Sequence, residues 1–351
     1  MREENKKNRR DFIKLAGLGT VALYLPINPF QFEFNSSIFK PPRLKIGDTI
    51  GVVSPAGPTF HKNDLIEVRQ SLSALGLKVK FGNHVLSRHG YLAGSDSERA
   101  DDFNAMIRDE SVNAIMAMRG GWGSNRILNL IDYDAVIQNP KIIIGFSDVT
   151  SLLLAIYAKT GMITFYGPVA TSKYGKFTTS WLKEILFEAK SPTLENPLLK
   201  PDGSINHNHL IRTINSGTAR GKLAGGNLTV ISSMVGSGYL PDWDGSILFL
   251  EEVGEKIYHI DRMLVQLKLA GVFDRLSGII FGKCVKCDPS KTTLSLSLEK
   301  VFDEIFIPLK IPVYSGAMIG HIDRIFTIPI GLNALMDADK GTIELLEPAV
   351  F

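Results

Sequence analysis

Cysteine is almost absent: the 351 residues hold two, Cys284 and Cys287. That excludes a disulfide-built scaffold. Their C-x-x-C spacing has no second pair and no nearby histidine to complete a zinc site, and the surroundings do not read as a thioredoxin motif. They read as two plain residues at a strand end, able to form a local disulfide in an oxidising compartment. Charge of one sign is also scarce. The formal net charge is +3, and six basic against three acidic residues in the first 14 positions account for it. The remainder is about neutral and gives no argument for nucleic acid. The apolar run Leu15–Leu25 is too short to span a bilayer, and no cysteine follows it for a lipid anchor. No internal repeat, low-complexity tract, Walker spacing or G-x-G-x-x-G occurs.

What is present begins with a targeting pattern. Asn8-Arg9-Arg10-Asp11-Phe12-Ile13-Lys14, followed by the apolar run and Pro26, reads as a twin-arginine export signal. Residues 1–36 are therefore set apart as signal and linker. The expected location is periplasmic, with no stable membrane anchor.

From Asp48 onward, short apolar strands alternate with amphipathic helices. Asp48–Val53, Leu77–Phe81, Ala114–Met118, Lys141–Ile144 and Met162–Tyr166 read as strands. Asn63–Leu75 and Glu98–Ile107 read as helices, one closed by Gly76 and the other capped by Ser95-Asp96-Ser97. The alternation predicts a parallel sheet with helices on both faces over 42–170. Residues 171–210, polar around a helix at Thr179–Glu188, read as a connection. A second domain over 211–351 starts with an extended Thr213–Leu223. Next come a helix after Gly225-Gly226-Asn227 and a strand Ser246–Leu250 that Glu251-Glu252 ends. A helix at Ile257–Ala270 follows, then strands at Gly278–Phe281 and Pro312–Ser315. Phe326–Leu332 and Gly341–Leu346 read as a closing strand pair.

Ligands of such sheets sit at strand C-termini. Ser54, Gly120, Gly121 and Ser147 all fall there. Ser147 lies in Gly145-Phe146-Ser147-Asp148, between the Lys141 strand and a helical pattern carrying Leu152, Leu153, Ile156 and Tyr157. A hydroxyl at that turn, beside the Asp148 N–H at a helix start, suits a nucleophile with an oxyanion donor. The motif is not G-x-S-x-G, and on this stretch alone Ser147 reads as a helix N-cap. Arg119-Gly120-Gly121-Trp122-Gly123-Ser124 marks either close backbone approach to a ligand or a tight turn without one.

A serine nucleophile needs a base and an acid to hold it. His321, after Met318-Ile319-Gly320, occupies a strand-end loop as Ser147 does. Glu251 ends the run Ile247-Leu248-Phe249-Leu250 and needs a partner there. The order Ser, Glu, His is one that triads use. This is one assignment among several: His89 and His259 read equally as surface residues or core hydrogen-bonders, and Glu252 or Glu255 could replace Glu251. Arg119 and Arg126 are candidate cations for a substrate carboxylate.

Several motifs in order resemble the LD-carboxypeptidase family of serine peptidases. They are Ser54-Pro55-Ala56-Gly57, Arg119-Gly120-Gly121-Trp122-Gly123, Gly145-Phe146-Ser147-Asp148 and Gly225-Gly226-Asn227-Leu228. Leu250-Glu251-Glu252-Val253-Gly254-Glu255, Tyr258-His259-Ile260-Asp261-Arg262-Met263-Leu264 and Gly320-His321 complete the set. The resemblance spans about Pro42 to Glu347. It implies an N-terminal flavodoxin-like α/β domain and a C-terminal α/β domain with a mixed sheet, the active site lying between them. It implies Ser147 as nucleophile, Glu251 as orienting acid and His321 as base, with no metal or cofactor. Asp148, Gly120, Gly121, Trp122 and Arg119 would line the oxyanion and substrate site. The implied reaction releases terminal D-alanine from murein tetrapeptides. Relatives with the same triad cleave peptide–nucleotide antibiotics, and a non-catalytic muropeptide-binding protein is a third reading. The family often forms homodimers.

Overall fold

The computed structural model describes residues 39–200, 202–287 and 294–351. The twin-arginine pattern and its apolar run lie outside the described residues. The first five strands form where their apolar runs predict: β1 (Thr49–Val53), β2 (Lys78–Phe81), β3 (Ala114–Ala117), β4 (Ile142–Gly145) and β5 (Thr164–Tyr166). Every residue of β3 and β4 is buried. Runs so continuously apolar belong to parallel sheets covered on both faces. Helices α1 (Lys62–Ala74), α2 (Asp96–Arg108), α3 (Tyr133–Gln138) and α4 (Thr150–Thr160) lie between these strands. α2 starts as its sequence requires. Ser95 accepts from the Glu98 N–H, and the Glu98 side chain reaches back to the Ser95 N–H.

The chain continues through α5 (Lys176–Leu186), β6 (Thr193–Leu194), β7 (Arg212–Asn215), β8 (Thr218–Asn227), α6 (Leu228–Met234) and β9 (Ile247–Val253). Then come α7 (Ile257–Leu269), β10 (Gly278–Val285), α8 (Leu298–Phe306), β11 (Val313–Ser315), β12 (Ile328–Ile330), β13 (Asn333–Asp337) and β14 (Thr342–Leu345). The first sheet runs β12-β5-β4-β3-β1-β2. Strands β1 to β5 are mutually parallel and only β12 is antiparallel. The order 2-1-3-4-5 is flavodoxin-like, with its topological switch between β1 and β3. The second sheet runs β6-β14-β13-β8-β9-β10-β11-β7. It is mixed: β8 to β11 are parallel, whereas β7, β13, β14 and β6 pair antiparallel.

The structure corrects several local expectations. Thr213–Leu223 is not one strand. The chain breaks at Gly217, where φ is 119°, and β7 and β8 lie on either side of β9, β10 and β11. Two intervening residues reach only about 10 Å, so the sheet curls to bring its β7 edge back toward β8. Strand β9 does not stop at Leu250 but continues through Glu251 and Glu252 to Val253, because both carboxylates find buried partners. Phe326–Leu332 and Gly341–Leu346 do not pair with each other. β12 crosses to the first sheet beside β5, and β14 pairs with β13. The segment read as a connection contributes β6 to the second sheet, and its helix starts at Lys176.

Gly331 makes the crossing between β12 and β13 at φ 95°. A Cβ there would run into the Tyr157 ring of α4. Gly331→Ala is expected to lower unfolding stability by about 2 kcal/mol or more, read from urea denaturation midpoints.

Candidate active site

The loops after β1, β3 and β4 meet at one rim of the first sheet. The Gly57 N–H donates to Gly120 O at 3.3 Å, joining the first two. Gly120 lies so close to the third that a Cβ on it would sit 2.9 Å from Ser147 Oγ and 2.8 Å from its Cβ. Ser147 opens a single tight turn ahead of α4 with a left-handed backbone, φ 63°, which is uncommon for a residue with a Cβ. It is not an N-cap. Phe146 holds the position before the turn, and no side chain caps it.

The Ser147 hydroxyl instead meets a histidine. Its Oγ is 2.9 Å from His321 Nε2, and His321 Nδ1 is 2.8 Å from Glu251 Oε2. A carboxylate can only accept, so Nδ1 carries the proton and Nε2 is free to accept from the serine. Glu251 is fully buried. Its Oε1 accepts from Tyr166 Oη at 2.8 Å and from Asn227 Nδ2 at 3.1 Å. The structure thus brings Ser147, His321 and Glu251 together. His259 pairs with Glu255 at 2.5 Å instead, and His89 is exposed. Glu252 accepts from the Thr229 N–H and Oγ1, both at 2.8 Å, and from the same Asn227 Nδ2 at 3.2 Å. Burial pushes its carboxyl up, against the pull of those donors.

The glycine turn is fastened from below. The Asp148 carboxylate accepts from the Ser124 N–H at 2.8 Å and its hydroxyl at 2.7 Å. Burial pushes the Asp148 carboxyl up, while these donors and the Gly123 N–H pull it down. The buried Arg99 donates to Pro55 O at 2.5 Å and Gly123 O at 2.7 Å, and pairs with Asp96. Neither the Gly120 nor the Gly121 N–H donates to a described residue, and Gly120 is the one that abuts the serine.

The remaining candidates separate clearly. Trp122 is 62% exposed in the turn. Trp243 is buried, and Trp181 packs against Phe177 and Phe326. Arg119 lies over the Phe60 ring at 4.9 Å and makes one long bond, 3.4 Å, to Pro58 O among the described residues. It lines a cavity of about 460 Å³ with Thr59, Asp64, Glu67 and Lys173. Arg126 is committed to Asp96 through both its Nε and Nη2. Ser54 is buried and donates to Val85 O at 3.1 Å. Cys284 and Cys287 are unbonded thiols. No group of three or more His, Cys, Asp or Glu placed to hold a metal occurs among the described residues. No helix among them is long and apolar enough to cross a membrane. Sequence reasoning missed Tyr166, the Asn227 side chain, Arg99 and the Asp148 carboxylate. Tyr166 and Asn227 end β5 and β8, and their strand-end positions were the available signal.

A hydroxyl, an imidazole and a carboxylate in one hydrogen-bonded line is the arrangement acyl-transfer hydrolases use. The chain belongs to the LD-carboxypeptidase family. Residues 50–167 match the LD-carboxypeptidase N-terminal domain and residues 220–336 the C-terminal domain. The chain is 37% identical over 309 residues to the probable murein peptide carboxypeptidase of Bacillus subtilis, covering 87% of this chain and 93% of that protein. It is 34% identical over 333 residues to the microcin self-immunity protein MccF of Escherichia coli, covering 87% and 94%. Among solved structures, MccF in complex with aspartyl sulfamoyl adenosine matches with TM-score 0.80 at 32% identity, covering 89% of this chain and 100% of that one. Muramoyltetrapeptide carboxypeptidase from Oxalobacter formigenes matches with TM-score 0.71 at 26% identity, covering 85% and 97%.

Removing the Asp148 carboxylate leaves the Ser124 and Gly123 N–H groups without their acceptor and frees the glycine turn. Asp148→Ala is expected to lose about 2 kcal/mol of stability and about 100-fold in turnover, measured by urea denaturation and steady-state kinetics.

Proposed function

We propose that this protein is a serine-type LD-carboxypeptidase that releases terminal D-alanine from murein tetrapeptides. The observation that carries the reading is the Ser147–His321–Glu251 line, with contacts of 2.9 and 2.8 Å. The similarity to a murein peptide carboxypeptidase supports the substrate. His321 Nε2 takes the Ser147 proton as Oγ attacks the carbonyl before the terminal D-residue, and Glu251 stabilises the imidazolium. The N–H groups of Asp148 and the Gly120–Gly121 turn receive the oxyanion, each worth about 3 kcal/mol in such sites. His321 returns the proton to the leaving amine, D-alanine departs, and water resolves the acyl-enzyme. Arg119 receives the substrate's free carboxylate, and Trp122 covers the peptide at the mouth of the site. The chemistry calls on no metal or cofactor.

The MccF match at TM-score 0.80 favours a second reading, hydrolysis of a peptide–nucleotide antibiotic by the same residues. A non-catalytic muropeptide-binding protein would not need Ser147, His321 and Glu251 in register. Export through the Arg9-Arg10 signal would place the enzyme beside the cell wall. Arg9→Lys with Arg10→Lys is then expected to keep the protein in the cytoplasmic fraction on cell fractionation. In this reading the protein pairs as a homodimer, as the family often does.

The test is mass spectrometry of murein tri-, tetra- and pentapeptides after incubation with the protein. Loss of one alanine from the tetrapeptide alone is expected, and Ser147→Ala, His321→Ala and Glu251→Gln should each reduce it by about 1,000-fold or more. Cleavage of an aminoacyl sulfamoyl adenosine with no stem peptide touched would establish the second reading instead. Arg119→Gln is expected to raise KM by about tenfold or more with kcat within about twofold, and a fall in kcat alone would remove Arg119 from carboxylate binding.

A further inference from the structure

Tyr166 ends β5 and is fully enclosed. Its ring packs edge-on against Phe146 and Phe249, with centroids 6.3 and 5.4 Å away. The hydroxyl donates to Glu251 Oε1 at 2.8 Å and accepts from the Ser147 N–H at 3.3 Å. With Ser147 Oγ on His321 and His321 on Glu251 Oε2, these bonds close a ring of four residues. The ring enters Ser147 at its side chain and leaves it at its backbone. Apart from His321, no other described residue touches both the nucleophile and the acid by hydrogen bonds.

We infer that Tyr166 is a positioning residue of the catalytic apparatus, holding Ser147 in its left-handed turn while fixing and moderating the Glu251 carboxylate. The inference rests on the proposed serine mechanism but not on the identity of the substrate. Two physical effects follow. The Ser147 N–H is occupied by the phenol, so it is withdrawn from the oxyanion donors, leaving that task to Asp148 and the glycine turn. The left-handed φ of Ser147, costly for a residue with a Cβ, is held by an acceptor that cannot move because its ring is enclosed. The phenol also draws charge from Oε1, which weakens the hold of Glu251 on the His321 imidazolium. The titratable groups facing Glu251 are His321, Tyr166, Glu252 across their shared Asn227, and the Cys284 thiol of β10. Burial and the neighbouring Glu251 charge push the phenol far up, so it stays a donor across the working pH range.

The test compares Tyr166→Phe, which keeps the ring packing, and 3,5-difluorotyrosine at the same position, which strengthens the donor. NMR titration of isotope-labelled histidine, assigned with His321→Ala, reads the His321 pKa in the full chain. In Tyr166→Phe it should rise by about one pH unit, and in the fluorinated protein it should fall. On the tetrapeptide, Tyr166→Phe should lose about 10-fold to 100-fold in kcat with KM within twofold. A thermal melt of each variant registers any loss of packing, which by itself would not move the imidazole in opposite directions. Coincident His321 titrations in all three proteins would overturn the inference. An unmodified protein that leaves the tetrapeptide intact would overturn the substrate reading alone, since the titrations need no substrate.

Discussion

Glu251 sits without exposed surface near the end of an apolar strand. An unpaired carboxylate in that position costs several kcal/mol. Its two oxygens are satisfied by three donors from three separate parts of the chain: Tyr166 at the end of β5, Asn227 at the end of β8, and His321 in the loop between β11 and β12. Tyr166 belongs to the first sheet and Asn227 to the second, so satisfying one buried charge ties the sheets together where Ser147 stands. Thr150 adds a second tie, donating to Ser147 O at 2.6 Å and accepting from the Asn227 N–H at 3.0 Å.

The histidine loop is positioned from both sides. It leaves β11 in the second sheet and enters β12 in the first. Asn196 Oδ1 accepts from the Met318 N–H at 3.1 Å, and Thr178 donates to Asp323 O at 3.3 Å. Both residues lie in the 171–210 segment, so that stretch brackets the histidine loop as well as joining two halves of the chain. The glycine turn is held comparably by Asp148 and Arg99. Glu251 thus sits within β9, Ser147 just after β4 and His321 in the loop between β11 and β12, and each is held by bonds from other parts of the chain.

The parallel half of the fold was legible because β3 and β4 are continuous apolar runs and Gly76 and Ser95 punctuate the helices plainly. The second half was less so. Nothing local in Thr213–Leu223 separates one strand from two, since Gly217 matters only once the sheet curls. Phe326–Leu332 looks like a partner for any strand, and its crossing to β5 depends on the space Gly331 leaves beside Tyr157. At the site, Ser147, Glu251 and His321 could be named from their strand-end positions and family motifs. Chemistry alone left Glu252, Glu255, His89 and His259 open. Long-range pairings separated them: His321 lies 174 positions from Ser147 and 70 from Glu251, whereas His259 is used up by Glu255, four positions away. The sequence hid Tyr166 because a tyrosine ending an apolar strand looks like core until its hydroxyl is seen between Ser147 and Glu251.

The central claim is that Ser147 is made nucleophilic by His321 held on Glu251. It is tested most directly by labelling the full chain with a serine-directed fluorophosphonate and locating the adduct by peptide mass spectrometry. The account predicts one phosphonyl group per chain, on Ser147, with a labelling rate that collapses in His321→Ala. Labelling at another residue, or an equal rate in His321→Ala, would contradict it.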